Sequence, residues 1–374
     1  MAIAITRETQ AITFADSPQF VTAQSDGVTG LASYFRLDLY VWSGLAASPP
    51  VSPTRTLQIP SIPTTGNASY ADFEISSFLL AELDLDTIPT TYNGDTAKWF
   101  YYDIATDADL NNPESDVCLA TCGVGTYREG VNPGTTISAE NGKVFGTMSS
   151  KLTMSDSLDY KIPIYVGGIS QNEEIQSNLG DLDLVVDFGL TLNSTDSAEQ
   201  IAFVDIGATT YGIGWDNGTK FTFEINNALS TISKGLYNVD IECGNRPKKL
   251  SYYNASGAYV EFPINGIDRE SVNVSKQTYQ NLQPFYSNSD HVTQTYRSNG
   301  ETVIELFTGW LDEVAATQIT ELLTSKYVWY EFEGEVYPCT ILTQSIRFIN
   351  RTYDKQIGYD LSIRIANPLL NKAR

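Results

Sequence analysis

One histidine, four cysteines and three methionines in 374 residues leave almost no imidazole or thiolate with which to build a transition-metal centre or a nucleophile–base pair. Cys118 and Cys122 stand four apart in Val117-Cys-Leu-Ala-Thr-Cys-Gly123, Cys243 and Cys339 stand alone, and the sole His291 is distant in sequence, so the thiols read as buried or free rather than as zinc ligands. Basic residues are also scarce: 23 Lys and Arg face 45 Asp and Glu, for a formal charge of −22. Binding to nucleic acid or anionic membrane is driven by neutralising phosphates, so this balance excludes both as direct partners. The acidity reads first as solubility, with a basic partner or a cation as the alternative. No run of eighteen apolar residues exists, and the start, Met1 to Glu8, lacks a basic region followed by an apolar core, so the expectation is cytosolic synthesis. On that expectation the six Asn-x-Ser/Thr sites at Asn67, Asn193, Asn217, Asn254, Asn273 and Asn350 read as polar loops, not glycan acceptors. Missing too are a Gly-x-Ser-x-Gly elbow, a phosphate-binding loop, a dinucleotide fingerprint and any repeat of constant period.

The residues that are present suit packed β-domains. Hydrophobic residues make up 42% and aromatics 11%, enough to build real cores, and the length exceeds what one core usually supports. The run Tyr34 to Trp42 alternates with period two, placing Phe35, Leu37, Leu39 and Val41 on one face. Proline breakers at 49, 50, 53, 60 and 63 punctuate the next stretch of chain, and Ala71–Leu83 reads as a short helix before a strand at Lys98–Ile104. Residues 1–105 are therefore expected to form an Ig-like or fibronectin-like sandwich. The acidic stretch Thr106–Asp116 reads as a boundary or a long loop, and strand-like segments separated by turns such as Asp216-Asn-Gly218 make 106–245 a second β-domain. In 246–374, Leu311, Ala315, Ile319 and Leu322 recur at helical spacing, predicting one helix over 311–325, capped by Asp312 or Thr308, amid strands: an α+β module. The fold class is mainly β and multi-domain.

Few constellations carry chemistry. Asp107, Asp109 and Asn111 have the opening spacing of a calcium loop, but the sixth and twelfth positions hold Asn112 and Cys118 where an EF-hand needs Gly and Glu. They stay as a weak calcium candidate beside the reading of a solvated acidic loop. Glu305, Asp312 and Glu313 near Trp310 form the most suggestive acid-plus-aromatic group for a two-carboxylate hydrolase, although a helix cap beside a buried tryptophan explains it more simply. His291 lies in a polar run and reads as a loop residue. Arg246, Lys248 and Lys249 read as a solvated basic turn, while Arg347 and Arg364 read as partners for acids on neighbouring strands. The aromatic groups Trp99–Tyr102, Tyr252-Tyr253 and Tyr327–Tyr330 read as core, with some of the 22 tyrosines expected at a subunit interface.

Several runs, in order, resemble those of virion structural proteins of tailed bacteriophages: Ala71-Asp-Phe-Glu-Ile-Ser76, Tyr127-Arg-Glu-Gly-Val-Asn-Pro133, Lys249–Tyr259, Gly309-Trp-Leu-Asp-Glu-Val, Leu322–Trp329 and Tyr359–Ala366. The resemblance spans most of the chain and brings no catalytic signature. It implies a non-enzymatic, tail-associated or baseplate β-domain protein that assembles in rings or clusters, contacts other virion proteins, and resides in the virion after synthesis in the host cytoplasm. A receptor- or glycan-binding tail protein and a carboxylate-based depolymerase remain the alternatives.

Overall fold

The structure is a computed structural model that describes residues 3–26, 32–44, 46–64, 68–89, 96–107, 113–125, 130–135, 151–154, 160–165, 175–181, 188–192, 201–206, 220–226, 231–239, 248–264, 266, 268–280, 285, 287, 291–309, 313–344, 358–366 and 370–371. The protein is mainly β and built of several sheets. Two sheets open the chain. One has the order β1 (Ile3–Arg7), β3 (Phe20–Ser25), β7 (Ser69–Glu74), β6 (Ile62–Pro63). The other has the order β10 (Gly134–Thr135), β2 (Ile12–Phe14), β9 (Cys118–Thr121), β8 (Ala97–Thr106), β4 (Tyr34–Trp42), β5 (Arg55–Pro60). Val21, Ala23, Ala71 and Phe73 of the first share one core with Phe35, Leu37, Leu39, Phe100 and Ile104 of the second, which makes the pair a sandwich. The alternation in β4 explains this: Phe35, Leu37 and Leu39 are fully buried on the inner face.

Two expectations for this region need correction. The boundary drawn at residue 105 falls inside the six-stranded sheet, because β9 pairs with both β8 and β2, and β10 pairs with β2. The acidic stretch between β8 and β9 is tied back at its end by hydrogen bonds from the amide of Ile104 to Pro113 O (3.1 Å) and from that of Ser115 to Tyr102 O (2.9 Å). The run expected to be helical from Ala71 divides: Ala71–Glu74 completes β7, since Ala71 and Phe73 alternate into the core, and the helix α1 spans only Ser76–Glu82. Glu74 starts it, its Oε1 accepting from the amide of Ser76 at 2.9 Å.

Between the sandwich and the last third lie a five-stranded sheet of order β11 (Lys151–Met154), β17 (Thr231–Val239), β16 (Lys220–Asn226), β13 (Ile175–Asp181), β14 (Phe188–Leu192), and the antiparallel pair β12 (Tyr160–Tyr165) and β15 (Ile201–Ile206). The boundary at 245 falls outside the described residues.

The final region is one eight-stranded sheet. Its order is β19 (Tyr259–Ile264), β18 (Lys248–Tyr253), β22 (Val328–Phe332), β23 (Glu335–Ile341), β24 (Asp360–Ile365), β21 (Thr293–Phe307), β20 (Asp268–Gln280), with β25 (Leu370–Asn371) also on β21. The expected helix is α2, Glu313–Thr324, whose Ile319 and Leu322 are fully buried against Leu250, Tyr252, Phe262, Leu361 and Ile363. Thr308 does not cap it: its hydroxyl accepts the amide of Tyr359 (3.0 Å) and donates to Gly309 O (3.1 Å), tying β21 to β24. Leu311 and Asp312 lie outside the described residues.

Candidate functional site

Every residue of β18 and β19 is buried, so these strands are covered on both faces. Leu250 and Tyr252 point toward α2, whereas Tyr253, Tyr259 and Trp329 belong to the core of the N-terminal sandwich together with Ile201 and Phe203 of β15. Four of these rings meet edge-on or tilted, with centroids 5.9 to 6.1 Å apart: Tyr253–Trp329, Tyr259–Trp329, Tyr253–Tyr259 and Phe203–Tyr259. Such contacts add to area burial by roughly 0.5 to 1.5 kcal/mol a pair. The reading of Tyr252-Tyr253 as core is therefore met by two different cores.

The seam is sealed by backbone contact. The turn between β18 and β19 sits on the loop after β9: the hydroxyl of Thr121 donates to Ser256 O (2.9 Å) and the amide of Val124 to Ala255 O (2.8 Å). Gly257 has φ +81°, and a Cβ there would lie 2.4 Å from the amide nitrogen of Gly123. Asn254 shapes the turn, its Oδ1 accepting the amides of Ser256 and Ala258 at 3.0 and 2.9 Å.

The basic group on β18 is not a solvated turn. Lys249 is buried, with its Nζ 3.1 Å from Glu261 Oε2 and 3.2 Å from Glu331 Oε2, and Lys248 is buried with its Nζ 2.5 Å from Asp268 Oδ1. Both lysines lie on a strand covered on both faces, so each ammonium must find a carboxylate. Arg246 lies outside the described residues. Desolvation works to lower Lys249, but two carboxylates on one ammonium more than offset it and hold the lysine above its ordinary value. Glu261 is raised by its own burial, against the pull of Lys249 and of the Lys161 amide, which donates to it at 2.8 Å. That last bond clamps β12 onto the seam. A cavity of about 460 Å³ opens beside it, with Leu80, Leu83, Leu85, Val124, Tyr253 and Tyr327 in its wall.

From this fixed body one element projects. Beyond its contacts with β24 and β25, β21 pairs, among the described residues, with β20 alone, and the two run on as a two-stranded arm, residues 276–280 against 293–298. At about 3.3 Å per residue the arm reaches roughly 20 Å. All of β20 after Asp268 is exposed. The cross-strand pairs Glu270↔Ile304, Val272↔Thr302 and Val274↔Gly300 alternate onto one face, the face on which Ile304 and Leu306 enter the core under α2. The core stripe thus continues past the helix that covers it, leaving Val272 and Val274 53% and 54% exposed. After a bulge at Gln277/Thr278, Tyr279 and Tyr296 pair at the tip, with ring centroids 6.2 Å apart, and the Tyr279 hydroxyl donates to Gln294 at 2.6 Å. Among the described residues β20 is also an open edge, a template for strand addition.

A second feature lies on the outer face of the N-terminal sandwich. There Tyr40 stacks on Tyr101 (centroids 4.4 Å, planes 4° apart), Trp42 meets Tyr101 edge-on, and Asp38 faces Asp103 directly across β4 and β8. Arg36 Nε is 3.0 Å from Asp38 Oδ2. Burial, then the charge of Asp38, raises Asp103, and Tyr40 is pushed up to about 12 by burial and then by Asp103.

The sequence candidates fare unevenly. Asp107 is exposed and accepts the Ser33 amide at 2.9 Å; burial pushes it up slightly, and the bonds from Ser33 bring it below its ordinary value. Asp109 and Asn111 lie outside the described residues, so the calcium candidate is not assembled there. No group of three or more His, Cys, Asp and Glu suited to a metal occurs among the described residues. Glu305 is exposed and faces Arg269 across the ribbon, while Trp310 and Asp312 lie outside the described residues. His291 is exposed. Cys118, Cys122 and Cys339 are free and buried; burial raises all three, Cys122 and Cys339 to about 12. Cys243 and Arg347 lie outside the described residues, and Arg364 finds Glu301 at 3.5 Å. The arm was missed, although its mixed run of Val, Thr, Tyr and Ser without proline from 268 to 280 is a strand signal of unusual length.

No protein-family profile and no curated protein sequence matches the chain. Among solved structures it is similar to CBD12 from CALX1.2 (11% identity, TM-score 0.19, 62% of this chain and 82% of that one). It is similar also to the FN1–FN3 domains of chicken CNTN1 (8%, 0.19, 82% and 92%) and to the BSP domain of a biofilm associated protein (8%, 0.20, 86% and 64%). Superpositions this loose carry no argument about what the chain binds.

Proposed function

We propose that this chain is a non-enzymatic structural subunit of a tailed-bacteriophage virion, placed in the tail or baseplate, where it joins neighbouring proteins. The observation that carries the reading is the arm: a ribbon with an exposed apolar stripe, an aromatic tip and an open edge, mounted on a body whose domains are locked by a buried seam. A monomer working alone gains nothing from exposing such a ribbon, and an assembling subunit covers it on docking. The ordered run of sequence motifs points to the same class. Co-expression with the tail proteins of a host phage, followed by pull-down and mass measurement, tests it: a stoichiometric complex is expected, and a chain that passes through unassociated overturns the reading.

A second reading is favoured by the outer face of β4 and β8, where the Tyr40–Tyr101 stack sits one step from the opposed Asp38 and Asp103. Aromatic rings on the outer face of a sheet are equipment for gripping a sugar, ring face against C–H groups. Binding on a glycan array, abolished by Tyr101→Ala with Tm retained, would establish this role; a blank array removes it.

A further inference from the structure

We infer that the arm of β20 and β21 docks on the acidic N-terminal domain of a second copy of this chain. The inference rests on the assembly reading and names the partner. Charge distribution is the first argument. The described residues 271–280 and 293–300 of the arm and its root contain no Asp or Glu and carry Lys276 and Arg297, in a chain of net charge −22. The stretch from Asp72 to Asp116, by contrast, holds eleven acids and a single lysine. Among these Asp84, Asp86, Glu114 and Asp116 are exposed, so the sandwich presents a set of exposed acids while the described residues of the arm carry none. Such complementarity steers encounter and fixes which surfaces meet.

Apolar matching is the second argument. The root of the arm offers Val272 and Val274 beside Lys276, and the sandwich offers exposed Ile88 beyond Asp84 and Asp86, and exposed Val117 beside Asp116. Residues 269–280 of β20 and 293–297 of β21 stay exposed, so the arm does not meet these groups within its own chain. A ribbon about 20 Å long and about 10 Å wide presents roughly 200 Å² on each face. Both faces together supply about half of the roughly 800 Å² a side of a standard interface, so the acceptor must embrace the arm and its root rather than touch one face. Arm and acceptor are different surfaces, so the contact is head-to-tail and builds a ring or a filament, not a two-fold dimer.

The test uses the full chain, measured by analytical ultracentrifugation at 50 and 500 mM salt. Lys276→Glu with Arg297→Glu should weaken self-association at least tenfold, as should Asp84→Lys with Asp86→Lys or Glu114→Lys with Asp116→Lys. Mixing the arm-reversed chain with an acid-reversed chain should restore a complex, and 500 mM salt should weaken the wild-type assembly by a similar factor. Unchanged Tm in each variant excludes misfolding as the cause. Self-association that ignores all these reversals overturns the inference. A chain that stays monomeric yet forms a defined complex with a tail protein through the arm overturns it too, while leaving the assembly reading standing. A chain that does neither takes both down.

Discussion

The ammonium of Lys249 and the carboxylate of Glu261 lie 3.1 Å apart, both buried, on adjacent strands of the last sheet. Glu331 completes the group at 3.2 Å, and the Lys161 amide reaches Glu261 from β12. Three parts of the chain are thereby held by one cluster of charges, which is what a body that carries a projecting arm requires.

Lys249→Ala leaves two carboxylates facing each other without their cation, and the cost of an orphaned buried charge is about 3 to 5 kcal/mol. Chemical denaturation should show that loss, and Lys249→Met combined with Glu261→Gln and Glu331→Gln should recover much of it. A triple variant no better than the single one would show that the cluster does not act as a unit.

Stability should fall as pH rises into the alkaline range. Tyr252, Tyr253, Tyr259 and Tyr330 are all raised by burial, so the folded state keeps phenolic protons that the unfolded chain gives up from about pH 10. Lys249, also raised, retains its proton above 10.5 and adds the same sign. Glu261, raised from 4.5, gains stability as pH drops through its folded value toward 4.5 and contributes no loss on acidification there. The share of tyrosinate absorbance that these four rings contribute should therefore rise together with loss of the fold, between about pH 10 and 12. Gradual ionisation of these tyrosines in a folded chain would contradict the burial.

Gly257→Ala should cost about 2 to 4 kcal/mol, because left-handed strain is joined by a backbone clash with Gly123. Gly334→Ala is the matched control. Its φ is also positive, at +80°, but nothing lies within 4 Å of the added carbon, so about 1 kcal/mol is expected. Equal Tm losses would mean that the seam is looser than the geometry implies.

Glu333 precedes Gly334 in the two-residue turn that pairs Phe332 with Glu335, and it sits at φ +53°. Asparagine tolerates that conformation better, so Glu333→Asn should stabilise the chain by a few tenths to about 1 kcal/mol. Thermal melts suffice to check the sign.

The sequence made the strands and α2 legible where one face is buried: β4 alternates, and Ile319 and Leu322 repeat at helical spacing. It failed where burial is two-sided. Lys248 and Lys249 look like a solvated turn until the strand beneath them is covered on both faces and Asp268, Glu261 and Glu331 arrive from elsewhere in the chain. The sandwich boundary was misplaced for a related reason: the acidic run after β8 has the composition of a linker, yet β9 returns to the same sheet. The arm escaped notice because an exposed ribbon has no core face to impose a pattern, and only Val272 and Val274 betray its register.

The most direct test of the assembly account is mass photometry of the purified full chain, alone and mixed with extract of the phage particle. The account predicts a discrete oligomer or an incorporated subunit. A persistent monomer that ignores the particle would contradict it.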